Sequence, residues 1–281
     1  MLKIAVPNKG SLAESAAAML RSAGYRQRTD SKDLTLTDEA HHVEFYYLRP
    51  RDIAVYVGQG HLDVGITGRD MLLDSGAPVT EIMPLGFGGS RFRFAAPSAG
   101  DHTVADLEGK RIATSYPGLL GNWLAAQGIR AELVKLDGAV ESAIRLGVAD
   151  VVADVVDTGT TLKRAGLEMF GDPICVSEAI LIRRAETPAP AGLQALQTRL
   201  ESVLVANNYL MMDYNVAEEN LAATTALASG VNGPTVSRLA EPGWLAVRVL
   251  VPKRGAHLLM DELFDAGARG ILLTELSAVR I

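Results

Sequence analysis

Short apolar runs alternate with amphipathic stretches along the chain, an order that predicts strands and helices in turn. Residues 3–6 read as a strand, Pro7-Asn-Lys-Gly10 as a loop, and a helix starts at Ser11. Ser11 and Glu14 have capping-box spacing. Leu12, Ala16, Met19, Leu20 and Ala23 follow a helical stripe, and Gly24 closes it. Residues 43–48 predict a second strand, 52–58 a helix and 63–67 a third strand. Repeated alternation of this kind implies an α/β sheet with parallel content.

A second lobe begins near residues 91–97. Its predicted strands are 111–114, 132–136 and 150–156, and its predicted helices are 119–127 and 140–146. Segments 174–183 and 193–205 are expected to return to the first lobe, separated by an aperiodic surface loop at 185–192. Gly60-His-Leu-Asp and Gly147-Val-Ala-Asp each place a glycine and an aspartate just before a strand, which suggests two similar lobes with a cleft between them. Convergent strand grammar would produce the same echo. From residue 208 the pattern changes. Strands at 209–215, 235–239, 245–251 and 270–276, with helices at 217–227 and 256–266, give the ferredoxin-like order βαββαβ. The expected division is lobe I at 1–92 and 178–207, lobe II at 93–177, and a third domain at 208–281.

Composition narrows the function. Of 281 residues 48% are hydrophobic, enough to bury a core, and the net charge of −6 argues against a general nucleic-acid binder. The single cysteine, Cys175, sits in an apolar run and reads as a structural thiol; neither a disulfide nor a Cys/His zinc pattern can form. The five histidines lack metal-ligand spacing. No apolar run approaches the roughly 18–20 residues that span a bilayer, so no membrane association is expected and the cytoplasm is the default compartment.

The most informative segment runs from Val151 to Leu162: a hydrophobic strand, a Thr/Gly-rich turn and a short helix. Backbone N–H groups at the end of a parallel strand can converge on an anion. Gly159 lets that backbone approach a phosphate closely. Thr158, Thr160 and Thr161 add hydroxyls, and a helix N-terminus would add positive charge. Asp154 and Asp157 could accept hydrogen bonds from sugar hydroxyls. The plain alternative is a buried strand ending in an ordinary turn. The Walker A ending and the Gly-x-Gly-x-x-Gly fingerprint are both missing. Lys9 lies in the first strand-to-helix loop, where it could meet a phosphate or simply be solvated. Arg49, Arg51 and Asp52 follow a strand; one arginine could clamp pyrophosphate, or the group is a surface pair. Asp70 follows the strand at 63–67 and could line the site or cap the next helix.

With these motifs in order the chain resembles the ATP phosphoribosyltransferases, in their long form, over essentially its whole length. The resemblance rests most on Glu141, Gly147, Ala149, Val152, Asp154 and Thr158-Gly159-x-Thr161-Leu162. Pro7-Asn-Lys-Gly10, Leu48-Arg-Pro-Arg-Asp-Ile53, Leu62 to Gly68, Gly86-Phe-Gly-Gly89 and Ile112 to Pro117 support it. A single acid, in Ala153-Asp154, stands where many phosphoribosyltransferases of other folds have two. The resemblance implies a two-lobed, periplasmic-binding-protein-like catalytic body with a ferredoxin-like regulatory domain. It implies transfer of a phosphoribosyl group from phosphoribosyl pyrophosphate to ATP with Mg²⁺, inhibition by histidine, and dimers that assemble to hexamers. Asp154 would face the ribose, and Thr158, Gly159, Thr160 and Thr161 the 5′-phosphate. Lys9, Arg49, Asp70 and Tyr116 would face the nucleotide and pyrophosphate. Asn215, Thr235 and Gly270, near strand edges, are the expected histidine positions. Two rival readings stay open: a solute-binding protein using the same cleft without catalysis, and a phosphoribosyltransferase acting on another base.

Overall fold

The computed structural model describes residues 1–100, 102–156 and 159–281. They form two compact units, residues 1–18 with 26–193, and residues 19–25 with 194–281.

The first unit contains two sheets. In chain order come β1 (Leu2–Pro7), α1 (Ser11–Ser22), β2 (Thr35–Asp38), β3 (Val43–Leu48), α2 (Pro50–Gly58), β4 (Val64–Gly68), α3 (Arg69–Ser75) and β5 (Val79–Pro84). The chain then crosses to the second sheet for β6 (Ser90–Pro97), β7 (Arg111–Thr114), α4 (Pro117–Gln127), β8 (Glu132–Lys135), α5 (Ser142–Arg145), β9 (Val151–Val156), α6 (Thr160–Arg164) and β10 (Leu167–Ser177). It returns to the first sheet with β11 (Ala179–Arg184). The strand orders are β2-β3-β1-β4-β11-β5 and β10-β6-β9-β7-β8. In each sheet a central strand (β1, β7) runs parallel to both neighbours, and the next strand but one (β11, β6) runs antiparallel. β3-β1-β4-β11-β5 and β8-β7-β9-β6-β10 are therefore the same topology used twice.

The Gly-x-x-Asp echo has a physical basis in that repetition. Asp63 Oδ2 accepts the Lys3 N–H at 2.8 Å, and the Asp63 N–H donates to the Lys3 carbonyl. Asp150 Oδ2 accepts the Arg111 N–H at 3.0 Å, and its N–H donates to the Arg111 carbonyl. Each aspartate fastens an incoming strand to the start of its lobe's central strand, at Lys3 in β1 and Arg111 in β7. β1 buries Leu2, Ile4, Ala5 and Val6, without the alternation of a half-exposed strand, as a parallel strand covered on both faces should.

The sequence pattern sets no bounds for β2, for β5 or for α3, the helix that Asp70 could cap, for one reason. β2 and β5 are sheet-edge strands with one fully buried residue each, and α3 buries only Asp70, so none carries an apolar period. The second unit contains α7 (Leu193–Asn208), β12 (Tyr209–Ala217), α8 (Leu221–Leu227), β13 (Thr235–Arg238), β14 (Trp244–Pro252), α9 (Ala256–Asp265) and β15 (Arg269–Glu275). Its antiparallel order β13-β14-β12-β15 is ferredoxin-like. Leu210, Met212, Tyr214 and Val216 alternate inward from β12 and pack with Val247, Val249 and Leu263.

Within the first unit α3 and α4 join the lobes. The Tyr116 side chain at the N-cap of α4 does not cap the helix. Asp74 of lobe I serves instead: its Oδ1 accepts the N–H groups of Gly118 at 2.8 Å and Leu119 at 3.2 Å, and its Oδ2 meets Arg51 Nη1 at 3.1 Å. The backbones are so close that a Cβ on Gly118 would lie 2.2 Å from the Asp74 carbonyl oxygen. Gly118→Ala should therefore cost about 1–3 kcal/mol. Gly121→Ala, in the same helix, where a Cβ would meet Leu133 at an ordinary 3.6 Å, should be neutral or stabilise by up to about 1 kcal/mol. Denaturant titration followed by Trp123 fluorescence in a Trp244→Phe background checks both; equal effects would contradict the close approach.

Candidate active site

Two cavities meet at β9. One, of about 330 Å³, is lined by Arg93, Glu141, Asp154, Gly159, Thr160 and Thr161 among others. The second, of about 760 Å³, lies between the lobes, with Lys9, Arg49, Arg51 and Asp52 on one side and Tyr116 and Asp137 on the other. Asp154 and Val155 line both. Each volume lies within the range of small-ligand sites.

β9 explains the shared wall. Its residues alternate between faces: Val151, Ala153 and Val155 pack with Phe92 and Phe94, while Val152 and Val156 pack with Val140 and Leu162. Asp154 falls on the latter face, opposite Arg93 in the β6–β9 register. Burial pushes its carboxyl up to about 6; the Val155 N–H and the Arg51 charge pull it down, and the charges of Glu141 and Asp70 push it up further. Asp154 thus ionises at the edge of the physiological range, unlike an exposed aspartate.

Gly159, Thr160 and Thr161 line the first cavity. Gly159 has φ +73°, a conformation that L side chains rarely adopt, and precedes α6. Thr160 and Thr161 are exposed and line the cavity. α6 runs only from Thr160 to Arg164, about one turn. The expected helix-end charge is accordingly small, and an anion there would depend on local amides and hydroxyls. Asp157 and Thr158 lie outside the described residues.

Lys9 and Arg49 are exposed at the wider cavity. Tyr116 is buried beneath Arg51, whose guanidinium carbon lies 4.1 Å from the ring centroid. Burial first, and then the neighbouring Asp70 charge, push its phenol well up, so it is a neutral donor at physiological pH. Asp70 departs from the expectation that it lines the cleft. It is 4% exposed and does not reach the cavity wall. The Ser177 hydroxyl accepts the Asp70 N–H at 3.0 Å and donates to Asp70 Oδ1 at 2.8 Å. A Cβ on Gly68 would be 2.3 Å from that oxygen, so a bare glycine lets the carboxylate fold back over the strand end. Asp70 thus ties lobe I to the end of β10 and acts on the cleft through Tyr116 and Asp154.

In the second unit Asn215 and Gly270 are neighbours, a Cβ on Gly270 lying 3.5 Å from Asn215 Nδ2. Thr235 does not join them: β13 and β15 are opposite edges of the sheet. The structure adds Arg51 and Asp137 to the wider cavity, Glu141 to the smaller one and Asp74 to the junction. Arg51 stands beside Arg49 in sequence and Glu141 belongs to the motif that carries the family resemblance; Asp74 and Asp137 have no local signal. Cys175 is half-buried and its thiol is pushed up by burial, in keeping with a structural role. Among the described residues no group of three or more His, Cys, Asp or Glu could hold a metal ion, and no helix is long and apolar enough to cross a membrane.

Two topologically equivalent α/β lobes around a cleft define a class, the two-lobed ligand-binding bodies. A histidine kinase sensor domain described as similar to periplasmic binding proteins shares that fold at TM-score 0.50 and 14% identity, over 74% of this chain and 91% of its own. The particular family follows from sequence. Residues 49–202 match the HisG family, ATP phosphoribosyltransferase, and residues 206–278 match the HisG C-terminal domain. ATP phosphoribosyltransferase of Salinispora tropica is 57% identical over 282 residues, and that of Corynebacterium glutamicum 53% over 281, each covering 100% of both chains. The structure of the ATP phosphoribosyl transferase (HisG:HisZ) complex from Thermotoga maritima matches at TM-score 0.61 and 27% identity, over 72% of this chain and 99% of that one. The chain belongs to the ATP phosphoribosyltransferase family, and is an enzyme of the pentosyl-transferring class.

The electrostatics of Asp154 can be tested without substrate. Removing a neighbouring negative charge lowers an acid's pKa, and removing a positive one raises it. Carboxyl ¹³C NMR should find Asp154 titrating near pH 6, moved down in Glu141→Gln and up in Arg51→Met. An Asp154 that titrates with the exposed aspartates and ignores both changes would contradict the burial.

Proposed function

We propose that the protein joins N1 of ATP to C1 of phosphoribosyl pyrophosphate, releasing pyrophosphate, as the first step of histidine biosynthesis. The observation that supports this most is the carboxylate common to two cavities. A sugar phosphate in the smaller cavity, with its phosphate on Gly159, Thr160 and Thr161, turns its anomeric carbon toward the larger one. The larger cavity has room for a nucleotide and carries Lys9, Arg49 and Arg51. A solute-binding protein needs no second cavity across a shared acid.

Displacement at C1 builds positive charge on the ribose and negative charge on the departing pyrophosphate, so positioning and charge suffice and no covalent nucleophile is needed. Ionised Asp154 accepts hydrogen bonds from the ribose hydroxyls and its charge favours the cationic ring. Lys9, Arg49 and Arg51 attract the departing oxygens. Tyr116, with its phenol neutral, lies beside the nucleotide. Asp157 and Thr158 are assigned to the ribose and the phosphate by family resemblance. Mg²⁺ in such sites is held by one or two carboxylates together with substrate phosphates, and Asp154 and Asp137, which both line the interlobe cavity, would hold it. The ion would neutralise pyrophosphate charge.

The C-terminal domain, residues 208–281, is assigned to histidine, which inhibits. Asn215 and Gly270 would supply one side of its site and Thr235 of a second subunit the other, in dimers that assemble to hexamers in the cytoplasm. Pyrophosphate release tests the whole reading. It should require both ATP and phosphoribosyl pyrophosphate, and histidine should suppress it in the wild type but not in Asn215→Ala. Asp154→Asn should raise KM for phosphoribosyl pyrophosphate at least tenfold, roughly the worth of a charged hydrogen bond, and KM for ATP far less. Below about pH 6 both Asp154 and the substrate's 5′-phosphate, with a second pKa near 6, take up protons. Log kcat/KM for phosphoribosyl pyrophosphate should then fall with a slope of about two in the wild type and about one in Asp154→Asn. Release without ATP, or identical slopes, would overturn the assignment.

A further inference from the structure

Among the described residues Arg93 is the one cationic side chain lining the smaller cavity. It stands directly opposite Asp154 across the β6–β9 pair, on the same face of the sheet. Opposite charges so placed would ordinarily pair, yet among the described residues Arg93 makes no ion pair. Its Nη2 donates instead to the Gly171 carbonyl, in the stretch where β10 bulges away from β6 between Phe170 and Cys175. Its Nε is buried and has no hydrogen-bond partner. A buried guanidinium N–H without an acceptor is costly, and native structures retain few such groups without a use.

The cavity supplies the use. It already holds two carboxylates, Asp154 and Glu141, beside the Gly159–Thr161 turn. A phosphate dianion settling there on hydroxyls and amides alone would meet net negative charge. A guanidinium already tied to a backbone carbonyl, with a donor to spare, corrects the balance and suits phosphate geometry. Arg93 does not line the interlobe cavity, where the cations for pyrophosphate lie.

We infer that Arg93 is a substrate-contacting residue that binds the 5′-phosphate of the phosphoribosyl group, with the turn at Gly159–Thr161 on the phosphate's other side. This rests on reading the smaller cavity as the phosphoribosyl site.

Binding tests it without depending on turnover. Ribose 5-phosphate and pyrophosphate are titrated separately by calorimetry into the wild type, Arg93→Met and Arg93→Lys. Arg93→Met should weaken ribose 5-phosphate about tenfold or more, and Arg93→Lys, which keeps the charge but not the fork, by less. Pyrophosphate affinity should change less than about twofold in both, which also reports that the variants fold. Should Arg93→Met fail to fold, Arg93→Lys decides alone. Unchanged ribose 5-phosphate affinity, equal loss of both ligands, or a wild type that binds no ribose 5-phosphate overturns the inference. A wild type that binds it but releases no pyrophosphate with ATP and phosphoribosyl pyrophosphate contradicts the functional reading alone.

Discussion

A carboxyl group drawn out of water resists ionising, and most proteins place their aspartates where this does not arise. Asp154 is held in such a place by the pairing of β9 with β6 and the apolar residues on either side of it in the strand. Its burial, the charges of Glu141 and Asp70 beside it, and the opposing charge of Arg51 set its ionisation near pH 6. The same side chain walls both cavities, so a ligand in one and a ligand in the other would meet across it. The turn that follows, the cations of the larger cavity and the buried tyrosine gain their meaning from that position.

The rest of the catalytic unit is arranged to keep two lobes in register around this group. Each lobe repeats one topology, and each uses an aspartate before a parallel strand to fasten it to its neighbour. The junction is polar and specific. Asp74 caps a helix of the other lobe and meets Arg51, which in turn lies over Tyr116. Asp70 and Ser177 exchange hydrogen bonds where the chain leaves the second sheet. Arg51, Asp70 and Asp154 are thus electrostatically linked, and a change at the junction is felt at the carboxylate.

The parts that announced themselves in the sequence are those whose cause is local. The alternation along β12 and the apolar runs of β1 and β9 fixed the layers, since strand faces follow a period of two and parallel strands lose it. The Val151–Leu162 segment marked the first cavity because the acid, the glycine and the threonines are close in sequence as well as in space. What stayed hidden depends on distance along the chain. Asp74 acts on Gly118, 44 residues on, and Ser177 on Asp70, 107 residues away. Asp70 follows a strand end, as a cleft residue would, but the room over Gly68 and the distant Ser177 hydroxyl let it turn inward. Arg93 had no local signature, because its position is set by strand pairing and a bulge in β10. Nearness to a strand edge puts Thr235 with Asn215 and Gly270, but that criterion does not say which edge, and β13 and β15 lie at opposite ones.

A crystal structure of the protein with phosphoribosyl pyrophosphate and a non-reactive ATP analogue bound together tests the central claim most directly. The account predicts the 5′-phosphate on the Gly159–Thr161 turn, the ribose hydroxyls on Asp154, and the adenine in the interlobe cavity on the other side of that carboxylate. Both ligands in the interlobe cavity, with Asp154 touching neither, would contradict it.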